Sequence, residues 1–167
     1  MELNCLNNVS EAEANESLTK CCGAHRWVEQ MLDERPFASA DLLFEKADRI
    51  WNALQSEDYL EAFTHHPKIG DFESLKKKFN TSTQWEAGEQ AGVATATDLI
   101  LHDLARGNDE YEKKFGYIFI VCATGKTAGE MLSILESRLP NEPDKELKLA
   151  AEEQRKITRL RLEKLCQ

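Results

Sequence analysis

The segment DKELKLAAEEQRKITRLRLEKL, residues 144–165, constrains the fold more than any other part of this sequence. Leu147, Ala150 and Ile157 fall on one face at helical spacing, which predicts one long amphipathic helix. Helical patterns also predominate over strand patterns in the rest of the chain. We therefore expect an all-α fold, a single-domain compact helical bundle of about eight helices with short connections.

Capping signals divide the remainder into shorter helices. Ser10 with Glu13 and Thr127 with Glu130 form capping boxes that predict two helix starts. Gly107 is interpreted as the stop of a helix that covers Leu99 to Arg106. GYIFIVCA, residues 116–123, is rich in β-branched and aromatic residues, but no partner strand is evident. It is expected to be a buried extended segment or a helix start.

Length and charge limit the classes of function. The chain has 167 residues, and we expect an N-terminal tail over 1–9 and one domain over 10–167. Acidic residues outnumber basic residues 30 to 21, and no basic stripe is present, so nucleic acid is not an expected partner. The longest apolar run, Tyr117 to Ala123, is too short to span a bilayer, so no membrane association is expected.

The cysteines suggest a reducing compartment. There are five, an odd number, and Cys21 and Cys22 are adjacent. No signal peptide precedes them, so we expect reduced thiols in a cytoplasmic protein.

Two adjacent histidines before a proline form the first candidate site. Proline disfavours the α conformation in the preceding residue, so His66 should lie just past a helix that begins at Ser56. A helix C-terminus favours a cationic imidazole, and such a histidine can exchange a proton near neutral pH. The same position also suits a histidine that only satisfies unpaired carbonyls. Neighbouring residues rarely converge on one ion, and no HxxxH or CxxC spacing is present, so no metal site is expected.

Arg161 is the second candidate. It falls on the same face of the long helix as Gln154 and Ile157, so we expect it to point inward. A buried arginine needs an anion, which is either a structural carboxylate or a bound ligand. Glu86 and Glu89 lie in WEAGEQAG and are candidates for an acidic group, although an isolated glutamate is usually solvated.

Four ordered blocks resemble one known family. HPKIGD, WEAGEQAG, KFGYIFIVCATGKTAGEML and KITRLRLEKL are similar to the blocks of 2-oxo-4-hydroxy-4-carboxy-5-ureidoimidazoline (OHCU) decarboxylase. The resemblance extends over nearly the whole chain from about Ser10. It implies an all-helical, cofactor-independent enzyme of urate degradation, commonly a homodimer, that forms (S)-allantoin and CO₂ from a small anionic substrate.

The resemblance also implies roles for individual residues. His66 and Glu89 correspond to the catalytic pair, with His65 only a neighbour. The residues expected to bind substrate are Pro67, Gln90, Arg161 and the run Phe119, Ile120, Val121, Cys122 and Ala123. The chain departs from the family at Glu86, where serine is common, so Glu86 either adds a charge there or turns away. Two alternatives stay open: a non-catalytic helical interaction module, and an enzyme of the same fold that acts on a related ureido acid.

Overall fold

Helices account for all the regular secondary structure in the described residues. The computed structural model describes residues 3–67, 71–80 and 90–167, without the side chains of 80 and 90–96. The prediction of an all-α fold is confirmed. The helices are α1 Asn4–Asn7, α2 Glu11–Cys21, α3 His25–Asp33, α4 Ala40–Asn52, α5 Ser56–Thr64, α6 Phe72–Asn80, α7 Gln90–Phe115, α8 Ala128–Arg138 and α9 Pro143–Leu165. No helix within these ranges is long and apolar enough to cross a membrane.

The chain divides into two compact units. The first comprises Met1–His66 and Leu147–Gln167, and the second comprises Pro67–Glu146. The segment predicted as an N-terminal tail contains α1, and its Leu6 is fully buried in the structure. The predicted domain limits, 1–9 and 10–167, stay a prediction.

Two tryptophans anchor the core of the first unit. Trp27 on α3 donates its indole N–H to the Ala47 carbonyl of α4 at 3.1 Å. Trp51 on α4 donates to the Ala151 carbonyl of α9 at 3.0 Å. Both rings are almost fully buried. Because each ring buries a large apolar surface and still satisfies its donor, it fixes two helices against each other.

The predicted capping boxes are both present. The Ser10 hydroxyl accepts from the Glu13 amide, and the Glu13 carboxylate accepts from the Ser10 amide. Thr127 and Glu130 make the same reciprocal pair at the start of α8. These sequence signals mark helix starts well because they depend only on residues three positions apart.

The expectation of five reduced thiols is wrong for two cysteines. Cys5 on α1 forms a disulfide with Cys166, which follows α9, and their Cα atoms are 6.0 Å apart. The two residues are separated by 161 positions, so no local pattern indicates that they meet. The disulfide joins the two ends of the described chain within the first unit. Cys21, Cys22 and Cys122 carry buried thiols.

The predicted stop at Gly107 is also wrong. α7 runs without interruption from Gln90 to Phe115, and Gly107 is buried within it. A Cβ at this position would lie 2.6 Å from Cδ2 of Leu135 on α8. The glycine therefore permits close packing of α7 on α8, and this packing outweighs the low helix propensity of glycine.

An extended segment connects α7 to α8 in the second unit. Residues 116–127 contain no helix or strand, and glycines with φ of 82° and 76° stand at Gly116 and Gly125. Ile120 and Cys122 are buried, whereas Phe119, Val121 and Ala123 are partly exposed. This alternation is that of an extended chain, as the residue types predicted.

A buried ionic network holds this segment from behind. Arg138, at the end of α8, donates from Nη1 to the Ile120 carbonyl at 2.7 Å and from Nε to the Glu146 carboxylate at 2.7 Å. The Tyr111 hydroxyl donates to the same carboxylate at 2.5 Å, and Asn141 donates to its other oxygen at 3.0 Å. Glu146 is fully buried, so its charge depends on these donors.

The guanidinium of Arg138 also packs on aromatic rings. Its Cζ lies 4.7 Å from the centroid of Phe119 and 5.8 Å from that of Tyr111. Phe119 is therefore positioned by the same cation that fixes the Ile120 carbonyl. Neither Arg138 nor Glu146 was identified from the sequence. The one feature of the sequence that could have indicated this network is an arginine at a position of α8 where the helical spacing calls for an apolar residue.

We expect Glu146→Gln to destabilise the protein by about 3–5 kcal/mol, because it leaves the buried Arg138 charge without its counter-ion. Urea unfolding followed by far-UV circular dichroism measures this. Glu142→Gln is a matched control, since Glu142 is exposed directly before the same helix and should change stability by less than about 0.5 kcal/mol. Equal small effects of the two variants would contradict the role given to the network.

Candidate functional site

His66 lies where the sequence predicted it. α5 ends at Thr64, His65 is its C-cap residue, and His66 follows in a bend directly before Pro67. The His66 amide donates to the Phe63 carbonyl at 3.2 Å, which continues the helical hydrogen bonding by one tight turn. The His66 side chain is half-buried and Pro67 is exposed. The end of α5 therefore places one imidazole at the edge of the protein core.

His65 packs on the backbone after α2. A Cβ added to Gly23 would lie 2.6 Å from the Cβ of His65 and would overlap its ring. Gly23 does not adopt a left-handed conformation, so it is required here for the close approach of His65. This contact agrees with a supporting role for His65, which stays a prediction.

Gln154 is the hydrogen-bond partner of the His66 ring. The Nε2 atom of His66 and Oε1 of Gln154 form a short hydrogen bond, and Gln154 is fully buried on α9. The Gln154 Nε2 group donates to Thr158 Oγ1 at 3.1 Å, one turn further along the same helix. The sequence places Gln154 on the apolar face of α9, but no role was predicted for it. Because a buried polar residue needs hydrogen-bond partners, its position on the apolar face could have indicated that Gln154 binds another polar side chain.

The environment of His66 favours its neutral form. Burial lowers the pKa of the imidazole most; the hydrogen bond with Gln154 opposes this, and the charges of Arg161 and His65 lower the pKa further. The expectation that the helix end would favour the cation is therefore wrong for the described residues. Burial and a nearby guanidinium outweigh the partial charge of a helix terminus.

Arg161 lies at the edge of the buried face of α9. The most buried positions are Ala150, Gln154, Thr158 and Leu162, and Arg161 is half-exposed beside them. The prediction that it points inward therefore holds only in part, because the side chain is half-exposed. The regular 100° step used for that prediction was correct, but the centre of the buried face lies closer to Thr158 than to Ile157.

The Arg161 guanidinium binds the end of α2. Its Nη1 donates to the carbonyls of Lys20 and Cys21, each at 3.3 Å. Within residues 3–67, 71–80 and 90–167, no carboxylate lies within ion-pair distance of this guanidinium. Its charge acts on His66, whose pKa it lowers. His66, Gln154 and Arg161 thus form one cluster in the first unit, which combines a proton-exchanging ring with a cation that can bind an anion.

The thiols of Cys21 and Cys22 border this cluster. Burial raises the pKa of Cys21 to about 11 and that of Cys22 to about 12, although the Arg161 charge lowers both slightly. Both therefore stay protonated at neutral pH and are poor nucleophiles. Their role is to pack beside the cluster.

The predicted binding segment belongs to the second unit. Phe119 to Ala123 lie in the extended connection, where the Ile120 carbonyl is occupied by Arg138 and the Cys122 carbonyl accepts from Lys126 at 2.7 Å. In the described part of the chain, the amides of Phe119, Ile120 and Val121 have no acceptor. These backbone donors suit a ligand with carbonyl or carboxylate oxygens.

The two glutamates considered as the acidic group of the site lie outside the described residues. Glu86 and Glu89 lie within 81–89, and Gln90 is described only as the first backbone position of α7. Among the residues that are described, no group of three or more His, Cys, Asp or Glu side chains could hold a metal ion.

Comparisons with known proteins identify the family. The model of the OHCU decarboxylase family matches residues 7–163. The chain is 39% identical over 145 residues to the uric acid degradation bifunctional protein TTL of Arabidopsis thaliana, a match that covers 87% of this chain but only 45% of that protein. It is 30% identical over 133 residues to the 2-oxo-4-hydroxy-4-carboxy-5-ureidoimidazoline decarboxylase of Amia calva, covering 80% of this chain and 75% of that protein.

A solved structure agrees with this assignment. The crystal structure of an OHCU decarboxylase in the presence of (S)-allantoin superposes with a TM-score of 0.70 at 38% identity, covering 90% of this chain and 96% of the other. A crystal structure of (S)-allantoin synthase shares the fold, with a TM-score of 0.72 at 19% identity, and the match covers 99% of this chain and 54% of the other. The chain belongs to the OHCU decarboxylase family.

Proposed function

We propose that this protein decarboxylates 2-oxo-4-hydroxy-4-carboxy-5-ureidoimidazoline to (S)-allantoin and CO₂ without a cofactor. The observation that carries the proposal is the cluster of a neutral His66 beside the half-exposed cation Arg161, in a chain of the OHCU decarboxylase family. Two relatives support the same substrate: the Amia calva protein is named for this decarboxylation, and the solved OHCU decarboxylase was crystallised in the presence of (S)-allantoin.

The chemistry requires orientation and proton transfer. The bond between the ring carbon and its carboxylate breaks, CO₂ leaves, and the electron pair passes into the conjugated ring. One proton must then be delivered to carbon on one face to give a single enantiomer. A ring that can hold the electron pair itself needs no metal ion or Schiff base, so the protein contributes position and charge.

The described residues include groups suited to orienting the substrate and to transferring a proton. Arg161 has donors that suit carbonyl or carboxylate oxygens of the substrate, and a guanidinium favours bidentate contacts. The neutral His66 accepts the proton of the substrate hydroxyl as that group becomes a carbonyl, and then returns this proton to carbon. A second proton, taken up from solvent, balances the negative charge that the departing CO₂ leaves behind. Glu89 as the second catalytic group, and Pro67, Gln90 and the Phe119–Ala123 segment as substrate contacts, are further parts of the proposal. The homodimer implied by the family resemblance stays a prediction.

The proposal is tested by a coupled assay. Urate oxidase and hydroxyisourate hydrolase generate the substrate, and circular dichroism follows the optical activity of the allantoin. Spontaneous decay gives racemate, so we expect an optical signal that depends on this protein and is lost in His66→Asn. Since a general acid–base residue contributes typically about 10²–10⁴-fold, the rate should fall by that factor.

His65→Asn is the matched control, because it changes the adjacent imidazole and leaves His66 in place. Both variants should retain the far-UV spectrum of the wild type. A protein-independent racemic product would exclude the proposed activity, and a larger loss in His65→Asn than in His66→Asn would exclude the assignment of the catalytic histidine.

The pH dependence follows from the lowered pKa of His66. The neutral imidazole persists to lower pH than in a free histidine, so kcat/KM should be constant at neutral pH and fall only below the ordinary histidine value of about 6.5. The free energy of unfolding depends on pH in the same direction. The neutral histidine contributes stability above the pKa that it has in the unfolded chain, and this contribution is lost as the pH falls towards its lower pKa in the folded protein.

Arg161→Gln should move the acidic limb of the profile to higher pH, because removal of a nearby cation makes protonation of His66 easier. An acidic limb above the ordinary histidine value in the wild type, or a limb that moves to lower pH in Arg161→Gln, would contradict this account.

A further inference from the structure

A buried glutamine stands behind the proposed catalytic histidine, and its amide has two distinct ends. Oε1 faces His66 Nε2, and Nε2 donates to Thr158 Oγ1 at 3.1 Å. Gln154 is fully buried and Thr158 is 5% exposed, so solvent does not compete for these groups. An amide in such a position acts as an acceptor at one end and a donor at the other.

Thr158 is the hydrogen-bond partner at the other end of the amide. Its hydroxyl oxygen accepts from Gln154 Nε2, which leaves Oε1 of Gln154 for the ring of His66. A reversed amide would bring Nε2 to the ring and would require the hydroxyl to donate to Oε1 instead. The hydroxyl of Thr158 is therefore the contact that distinguishes the two orientations of Gln154.

We propose that Gln154, oriented by Thr158, is a positioning residue that holds the His66 imidazole with Nε2 protonated and leaves Nδ1 as the nitrogen that exchanges a proton with the substrate. This inference rests on the proposed function and adds which nitrogen reacts. The amide is neutral, so it fixes the ring without supplying the negative charge that would keep it protonated. A carboxylate at the same position would favour the imidazolium instead.

Among the described residues, the charged groups that act on the ring fit this arrangement. His65 on the adjoining backbone and Arg161 on α9 both act on His66, and both favour its neutral form. In a neutral imidazole only one nitrogen carries a proton. The acceptor Oε1 of Gln154 beside Nε2 favours the tautomer in which Nε2 is the protonated nitrogen. Outer partners of this kind that fix the tautomer of a histidine are worth about 10- to 100-fold when they are removed.

The first test reads the ring without any substrate. Nitrogen-15 NMR of the histidine rings, with His66 assigned by comparison with His66→Asn, should show a protonated Nε2 and an unprotonated Nδ1 in the wild type. Thr158→Val keeps the shape of the side chain but removes the hydroxyl, and should give a mixture of both tautomers. Thr158→Ser restores the hydroxyl and should restore the wild-type pattern. A protonated Nδ1 in the wild type, or no difference between the Val and Ser variants, would overturn the inference.

The second test uses the reaction. Gln154→Leu, which replaces the amide by an apolar group of similar size, should lower kcat about 10- to 100-fold with little change in KM, because it affects the proton-exchanging ring and not the substrate contacts. Gln154→Glu should move the acidic limb of the pH profile upward. Unchanged kcat in Gln154→Leu would overturn the inference.

The two tests separate this inference from the proposed function. The NMR measurement concerns the protein alone, so the expected tautomer in a protein that produces no (S)-allantoin would retain the positioning of His66 and reject the decarboxylase activity. Optical activity of the product together with a protonated Nδ1 would retain the activity and reject the role of Gln154.

Discussion

The buried polar residues of α9 impose the constraint on which the site depends. Glu146 and Gln154 are fully buried, and Thr158 is nearly so, on a helix that the hydrophobic effect alone would make apolar at these positions. Each must find a partner or cost free energy. Glu146 binds Arg138, Tyr111 and Asn141, and Gln154 binds His66 and Thr158. In this way the polar side chains on the buried face of the helix also fix the groups proposed to act on the substrate.

Local signals in the sequence predicted local structure well. The capping boxes at Ser10 and Thr127, the end of α5 before Pro67 and the long final helix depend on residues within a few positions of each other. The errors arose where a distant residue decides the outcome. Gly107 was predicted to end a helix, but it is a glycine because the side chain of Leu135 leaves no room for a Cβ there. No local sequence pattern connects Cys5 with Cys166.

The charge state of His66 was the most instructive error in the predicted site. The residue and its position followed from the sequence and the family resemblance, but its protonation depends on burial and on Arg161, which is 95 positions away in the sequence. A helix terminus supplies only a partial charge, and burial outweighs it. The proposed chemistry differs accordingly: a neutral ring is ready to accept a proton from the hydroxyl group of the proposed substrate, whereas an imidazolium would first have to lose one.

We propose above all that a small ureido ligand binds against His66 and Arg161. The most direct measurement is a titration of carbon-13-labelled histidine rings with (S)-allantoin, followed by NMR. We predict a saturable shift of the His66 resonances that is absent in Arg161→Gln, with the exposed His25 and His102 unaffected. An unchanged His66 signal at concentrations where the ligand is bound elsewhere on the protein would contradict the account.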